Sequence, residues 1–176
     1  MALSPSWSQI APWPDPRGPS WRVRLEADEA VRAAVARALG LEGVESLTAD
    51  FEVRPWLDGV EVEGQVSAAV GRICGVSLDP FTEVVEEPVL ARLLPPGSAH
   101  LPSMVEAPVD APLPEADPPE AGTAAGADLA ALAVETLALG LDPYPRKPGA
   151  VFETAPDPGA ESAFAALARL RLAGKE

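Results

Sequence analysis

The longest alternation in the chain runs from Val60 to Ile73. Val60, Val62, Val66, Ala68 and Val70 share one parity with Gly64, while Glu61, Glu63, Gln65 and Ser67 take the other. Side chains on a strand point alternately to two faces, so this pattern predicts a strand with one buried and one wet face. Shorter alternations predict strands over Trp21–Leu25 and Leu47–Arg54, with Pro55 ending the second. Asp58-Gly59 supplies a tight turn before Val60. Thr82–Leu93 carries Val84, Val85, Val89, Leu90 and Leu93. Its alternation slips at Glu86-Glu87-Pro88, which predicts two short strand pieces joined by a kink. Gly64 and Gly71 mark predicted bulges or sharp bends.

Helical spacing replaces alternation in two places. Val31, Ala34, Val35, Ala38 and Leu39 recur on one face, Asp28 stands where an N-cap belongs, and Gly40 stands at the C′ position. The second helix is predicted over Asp128–Leu139, again opening on an aspartate. Leu129, Leu132, Ala133 and Leu137 line one side of it and Val134 and Leu141 another, so it is apolar nearly all round and belongs against the sheet. Gly140 and Pro143 stop it. Near the end, Ser162 caps a predicted short helix carrying Phe164, Leu167, Leu170, Arg169 and Arg171. That helix is either a strap across the core or an anchor for a partner.

These elements give an α+β fold. The expected architecture is a strongly curved antiparallel sheet, or small barrel, with two packed helices and a short C-terminal helix. The domain comprises residues 21–94 and 127–176. Residues 1–20 are expected to form an extended proline-rich lead that lies across the domain and buries the indoles of Trp7 and Trp13. Residues 95–126 change composition to Pro, Ala and Gly with acids and no base, and read as a disordered acidic insertion.

Composition narrows the chemistry. In 176 residues, apolar content of 47% is enough for a core, but aromatics reach only 5%, so Leu, Val and Ala must build it. The 21 prolines are well above the average share of about 5%. A net charge of −14 opposes non-specific binding to a phosphate backbone and suits a basic protein partner. One cysteine excludes an internal disulfide and a multi-cysteine zinc cluster. The one histidine, His100, falls in the acidic insertion, where a catalytic triad has no use for it. No phosphate-binding glycine loop or nucleophile elbow is present. Glu61 and Glu63 share a strand face, yet it is the polar face, which reads as solvated and not as an acid–base dyad. The N-terminus lacks a charged and apolar leader, and no apolar run reaches the roughly 18 residues of a membrane span. The expectation is a cytoplasmic, non-enzymatic protein without cofactor, metal, membrane or small-molecule substrate.

Two stretches remain as candidates. Asp142 to Gly149 (DPYPRKPG) holds three prolines, the only Tyr, Tyr144, and the only adjacent basic pair, Arg146 and Lys147. Prolines fix φ and remove donors, so the segment is rigid without being regular. It is either a turn with solvated charges or a docking surface. Cys74, in Ile73-Cys-Gly-Val76, is a small core residue, a contact residue or a reactive thiol; no second cysteine, no flanking base beyond Arg72 and no helix N-terminus is there to activate it.

Several of these stretches together resemble the YceD-type proteins, called large ribosomal RNA subunit accumulation proteins. Asp58 to Val66 (DGVEVEGQV) leading into Cys74 to Phe81 (CGVSLDPF) is one part of the likeness. Asp128 to Leu139, then Leu141 to Gly149 (LDPYPRKPG) and Phe164 to Leu170 (FAALARL), complete it and are similar to the alphaproteobacterial branch. The likeness spans Trp21 to Leu172. It implies a non-enzymatic bacterial factor tied to accumulation or processing of the large-subunit ribosomal RNA, with no established active site or cofactor. Many members carry a second Cys or a base shortly after the position of Cys74, where this chain has Val76-Ser77.

Charge and resemblance join in one expectation. An acidic assembly factor would bind a basic ribosomal protein or a pre-large-subunit particle, with ribosomal RNA touched indirectly or only locally. Tyr144, Arg146, Lys147, Phe164, Arg169 and Arg171 are the expected contact residues. A generic interaction module docking through the Phe164–Leu172 helix is the competitor. A metal-dependent RNA-processing enzyme is the remote one, and would need clustered carboxylates.

Overall fold

The computed structural model describes residues 7–102 and 117–152. Its elements in chain order are β1 (Ile10–Ala11), β2 (Trp21–Glu26), α1 (Glu29–Leu39), β3 (Gly43–Trp56), β4 (Gly59–Ile73), β5 (Pro80–Leu94), β6 (Glu120–Ala121), β7 (Ala127–Asp128) and α2 (Leu129–Gly140). The fold is α+β. One five-stranded sheet runs in the order β2-β3-β4-β5-β6, antiparallel except for the parallel β5–β6 pair, and β1 pairs with β7 separately. No helix of the described residues is long and apolar enough to cross a membrane.

Parity decides which face is covered. Leu47, Ala49, Phe51 and Val53 of β3 sit across from Ala68, Val66, Gly64 and Val62 of β4, and Val85 and Val89 of β5 continue the same face. All of these except Gly64 are buried, and α1 packs on β3 while α2 packs on β5 and β4. The two helices start as their aspartates require. Asp28 accepts from the Val31 N–H at 2.8 Å. Asp128 accepts from the Ala130 and Ala131 N–H groups at 3.1 and 3.2 Å. Asp128 also takes the Ser8 hydroxyl at 2.8 Å, and Leu129 N–H donates to the Gln9 carbonyl at 2.9 Å, so the N-terminal lead is clamped to the start of α2. Trp7 and Trp13 pack against the core, as expected of that lead. Gly40 ends α1 at φ 66°, the left-handed conformation that favours glycine.

The opposite face stays open and polar. Arg54 bridges Glu61 at 2.9 Å and Glu63 at 2.6 Å, Arg92 meets Glu61 at 2.9 Å, and Arg24 meets Asp50 at 3.2 Å. Arg92 also lies 5.1 Å above the Trp56 ring.

Four expectations are corrected. The sheet does not close or curl into a barrel: it is open, with β2 at one end of the order and β6 at the other. The β5 strand is not two pieces, because its register with β4 is unbroken from Pro80 to Leu93 and passes through Pro88 opposite Gln65. A proline is accepted there because, among the described residues, the other side of β5 meets no strand before Leu93, and a missing N–H on that side breaks no ladder. Gly64 and Gly71 are not bulges. The register shift lies between Val44 and Ser46 of β3, and Gly64 instead makes room first for the Asp50 carbonyl of β3 and then for Phe51, whose Cδ1 would lie 2.9 Å from an added Cβ. Finally, the two described ends of the 95–126 segment are built into the fold. Gly122 N–H donates to the Leu94 carbonyl at 2.8 Å, the Trp13 indole donates to the Thr123 carbonyl at 3.2 Å, and an added Cβ on Gly122 would lie 2.7 Å from that indole. Glycine and backbone contacts hold this stretch where apolar side chains are lacking. His100 is an exposed residue on a turn, its N–H bonded to Ser98. The predicted helix carrying Phe164, Arg169 and Arg171 lies outside the described residues.

Candidate functional site

β4 and β5 are joined by the turn Cys74–Asp79, and α2 ends at the same end of the sheet. The hairpin is closed by Cys74 N–H donating to Asp79 carbonyl at 2.9 Å and Leu78 N–H donating to Cys74 carbonyl at 3.0 Å. Leu78 holds φ 61°, an uncommon conformation for a non-glycine residue. The chain leaving α2 then folds back onto this turn. Asp142 Oδ1 accepts from the Tyr144 N–H at 2.8 Å, fixing the first proline turn. Gly75 N–H donates to the Pro145 carbonyl at 2.8 Å. Lys147 Nζ reaches Asp79 at 3.3 Å. Arg72 donates to the Asp142 carbonyl.

Cys74 sits at the centre of this junction and is fully buried. The N–H groups of Val76, Ser77 and Lys147 all point at its Sγ from 3.4 Å. The Ser77 hydroxyl, then the Ser77 and Lys147 N–H groups, stabilise the thiolate against burial, which opposes it. Together they bring its pKa down to about 6. The chemistry available is that of a shielded thiolate that pins two loops together. Its burial withholds it from reagents in solvent.

Four of the sequence-predicted residues therefore meet. Cys74 lies beneath, Lys147 is tied to Asp79, and Tyr144 and Arg146 face solvent. Tyr144 is 78% exposed and Leu78, from the facing turn, is 74% exposed, so the junction presents apolar groups on a hydrogen-bonded frame. Arg146 has no ion pair among the described residues. Phe164, Arg169 and Arg171 are not placed by the described residues. Glu61 and Glu63, weighed as a dyad, are held by arginines. The Arg92 hydrogen bond first, and Arg54 after it, keep Glu61 below the usual carboxylate range.

Two members of the site were missed. Arg72 follows Val66, Ala68 and Val70 at the same parity of β4, so it continues the covered face. Its side chain is 10% exposed and it lies 3.6 Å from Glu83. A charged residue extending an apolar parity was the available signal. Asp79 offered none, since its partner is 68 residues away in sequence. Beside the junction, a cleft of about 440 Å³ opens between the end of α1 and the end of α2, with Arg72 and Pro145 on its wall. Comparison of the chain with protein-family models, with curated proteins and with solved structures gives no match in any of the three.

Proposed function

We propose that this chain is a non-enzymatic, YceD-type factor for biogenesis of the large ribosomal subunit. It acts in the cytoplasm on accumulation or processing of the subunit's RNA, by binding a basic ribosomal protein or a pre-large-subunit particle. The observation that carries this reading is the junction itself. The two stretches most responsible for the resemblance, Cys74–Phe81 and Leu141–Gly149, are far apart in sequence and hydrogen-bonded to each other. One ordered surface thus holds Leu78, Tyr144 and Arg146. A net charge of −14 argues for a basic protein as the main contact, with RNA touched at most locally through Arg146.

The test is sedimentation of a tagged chain with ribosomal particles at low and moderate salt, beside a charge-matched acidic control protein. The tagged chain should travel with particles containing precursor large-subunit RNA, and its depletion should lower mature large-subunit RNA relative to small-subunit RNA. Sedimentation no different from the control, with unchanged RNA ratios, ends the proposal.

A further inference from the structure

Among the described residues, no strand meets the outer edge of β5 before Leu93. The Leu94 carbonyl bonds outward to Gly122, and the register with β4 is unbroken, so the even positions of β5 turn their backbone groups away from β4. Among the described residues, Val84, Glu86 and Leu90 therefore turn N–H and C=O groups to an edge that no strand meets, interrupted at Pro88, which has no N–H, while the pairing of Leu93 with Glu120 engages the Arg92 carbonyl. Only Leu93 and Leu94 are met by a strand, β6, among the described residues. The edge is the floor of a groove of about 930 Å³, with α2 as its wall and β6 at one end.

The groove is acidic and apolar. Glu87, Asp117, Glu120 and Glu135 line it, and none of them has an ion pair among the described residues. Glu87 lies at the parity of β5 that faces α2, close against Gly140, where an added Cβ would stand 2.7 Å from its Oε1. The one base on the lining, Arg92, is turned to Glu61 and Trp56 on the far face. Leu139 is 82% exposed on the wall, while Leu90, at the parity of Arg92, lends the groove its backbone and turns its side chain to the far face.

We propose that this groove docks an extended, basic segment of a partner protein, which adds to β5 as a strand in line with β6. The proposal rests on the reading of this chain as a binder of a basic partner, and locates where that partner enters. Backbone groups of the edge supply hydrogen bonds, and the carboxylates select Lys or Arg side chains. Charge excludes a second copy as occupant, because two such edges would bring like-charged rims together on chains of −14. Pro88 limits the ladder to short pieces on either side of it, which suits a peptide segment and discourages a long flat strand.

The probe is a labelled peptide of roughly ten residues alternating Lys and Val. An acidic counterpart alternates Glu and Val, and a third version is N-methylated on one backbone edge. The Lys peptide should bind, and the amides of Val84, Glu86 and Leu90 should gain hydrogen-exchange protection. The acidic and N-methylated peptides should not bind. Glu135→Lys, an exposed change on the wall, should weaken binding about tenfold, and Glu87→Lys should do the same if it folds. Binding without protection of those amides, or unaltered by Glu135→Lys, overturns the groove. If particles still sediment with the Glu135→Lys chain as with the unaltered one, the groove fails and the proposed function stands. If the peptide binds as expected but the chain sediments with no particle, the groove stands and the proposed function fails.

Discussion

Cys74 shows how far a single residue's role depends on what folds over it. In the sequence it has no activating neighbour, and its ordinary pKa would be 9.0; in the fold it is near 6, first because of the Ser77 hydroxyl. The consequence for stability has a definite sign. Between pH 6 and 9 the unfolded chain keeps the thiol proton and the folded chain has lost it, so folding becomes more favourable as pH rises through that window. Below the folded pKa this contribution is gone. Titration of the thiolate absorbance in folded protein should show a midpoint near 6. Ser77→Ala should move that midpoint back towards the ordinary value, and Cys74→Ala should flatten the rise of denaturation midpoint with pH. A midpoint at the ordinary value in the unaltered protein would contradict the placement of the donors. Despite its low pKa, the buried thiol should alkylate slowly until the protein is unfolded.

At the scale of elements, parity was legible and closure was not. The alternations of β2, β3, β4 and the covered half of β5 follow from residues such as Val62 and Val66, whose burial depends only on which side of one strand they occupy. The caps at Asp28, Gly40 and Asp128 were equally local. An open sheet and a barrel share that parity. What separates them is whether the end strands reach each other, which no local pattern records. The same holds for the junction of the Cys74 turn with the 142–149 loop. The 142–149 half was readable as a rigid turn, but its meeting with the Cys74 turn is fixed by where α2 ends. Arg72 is the side chain that joins them, bonded to the Asp142 carbonyl and paired with Glu83, whose Oε2 is buried without a hydrogen bond. Arg72→Met should cost about 1–3 kcal/mol in a denaturant titration, because Glu83 is left without its counter-charge. Hydrogen exchange at the Gly75 amide, which holds Pro145, should accelerate. An unchanged rate at Gly75 would mean that the loop is seated by its prolines and Cys74 alone.

On the scale of the whole molecule, acids outnumber bases 27 to 13, and half of the bases among the described residues are held in ion pairs. Arg24, Arg54, Arg72 and Arg92 are each paired with carboxylates within the sheet, and Lys147 is paired with Asp79. Reversing both members of the Arg146-Lys147 pair would therefore disturb the junction as well as the surface, since a glutamate at 147 would face Asp79. Arg146→Glu alone separates the two effects. The thermal midpoint should hold, because the side chain is exposed and pairs with nothing among the described residues. Association with pre-large-subunit particles should weaken by about threefold, the contribution of one exposed ion pair. If Arg146 touches a phosphate, the slope of log affinity against log salt should also fall by about one. If it touches a protein carboxylate, the affinity should drop with the slope little changed. Unaltered affinity at low salt, with the midpoint preserved, would remove Arg146 from the interface and leave Leu78 and Tyr144 as its remaining candidates on that surface.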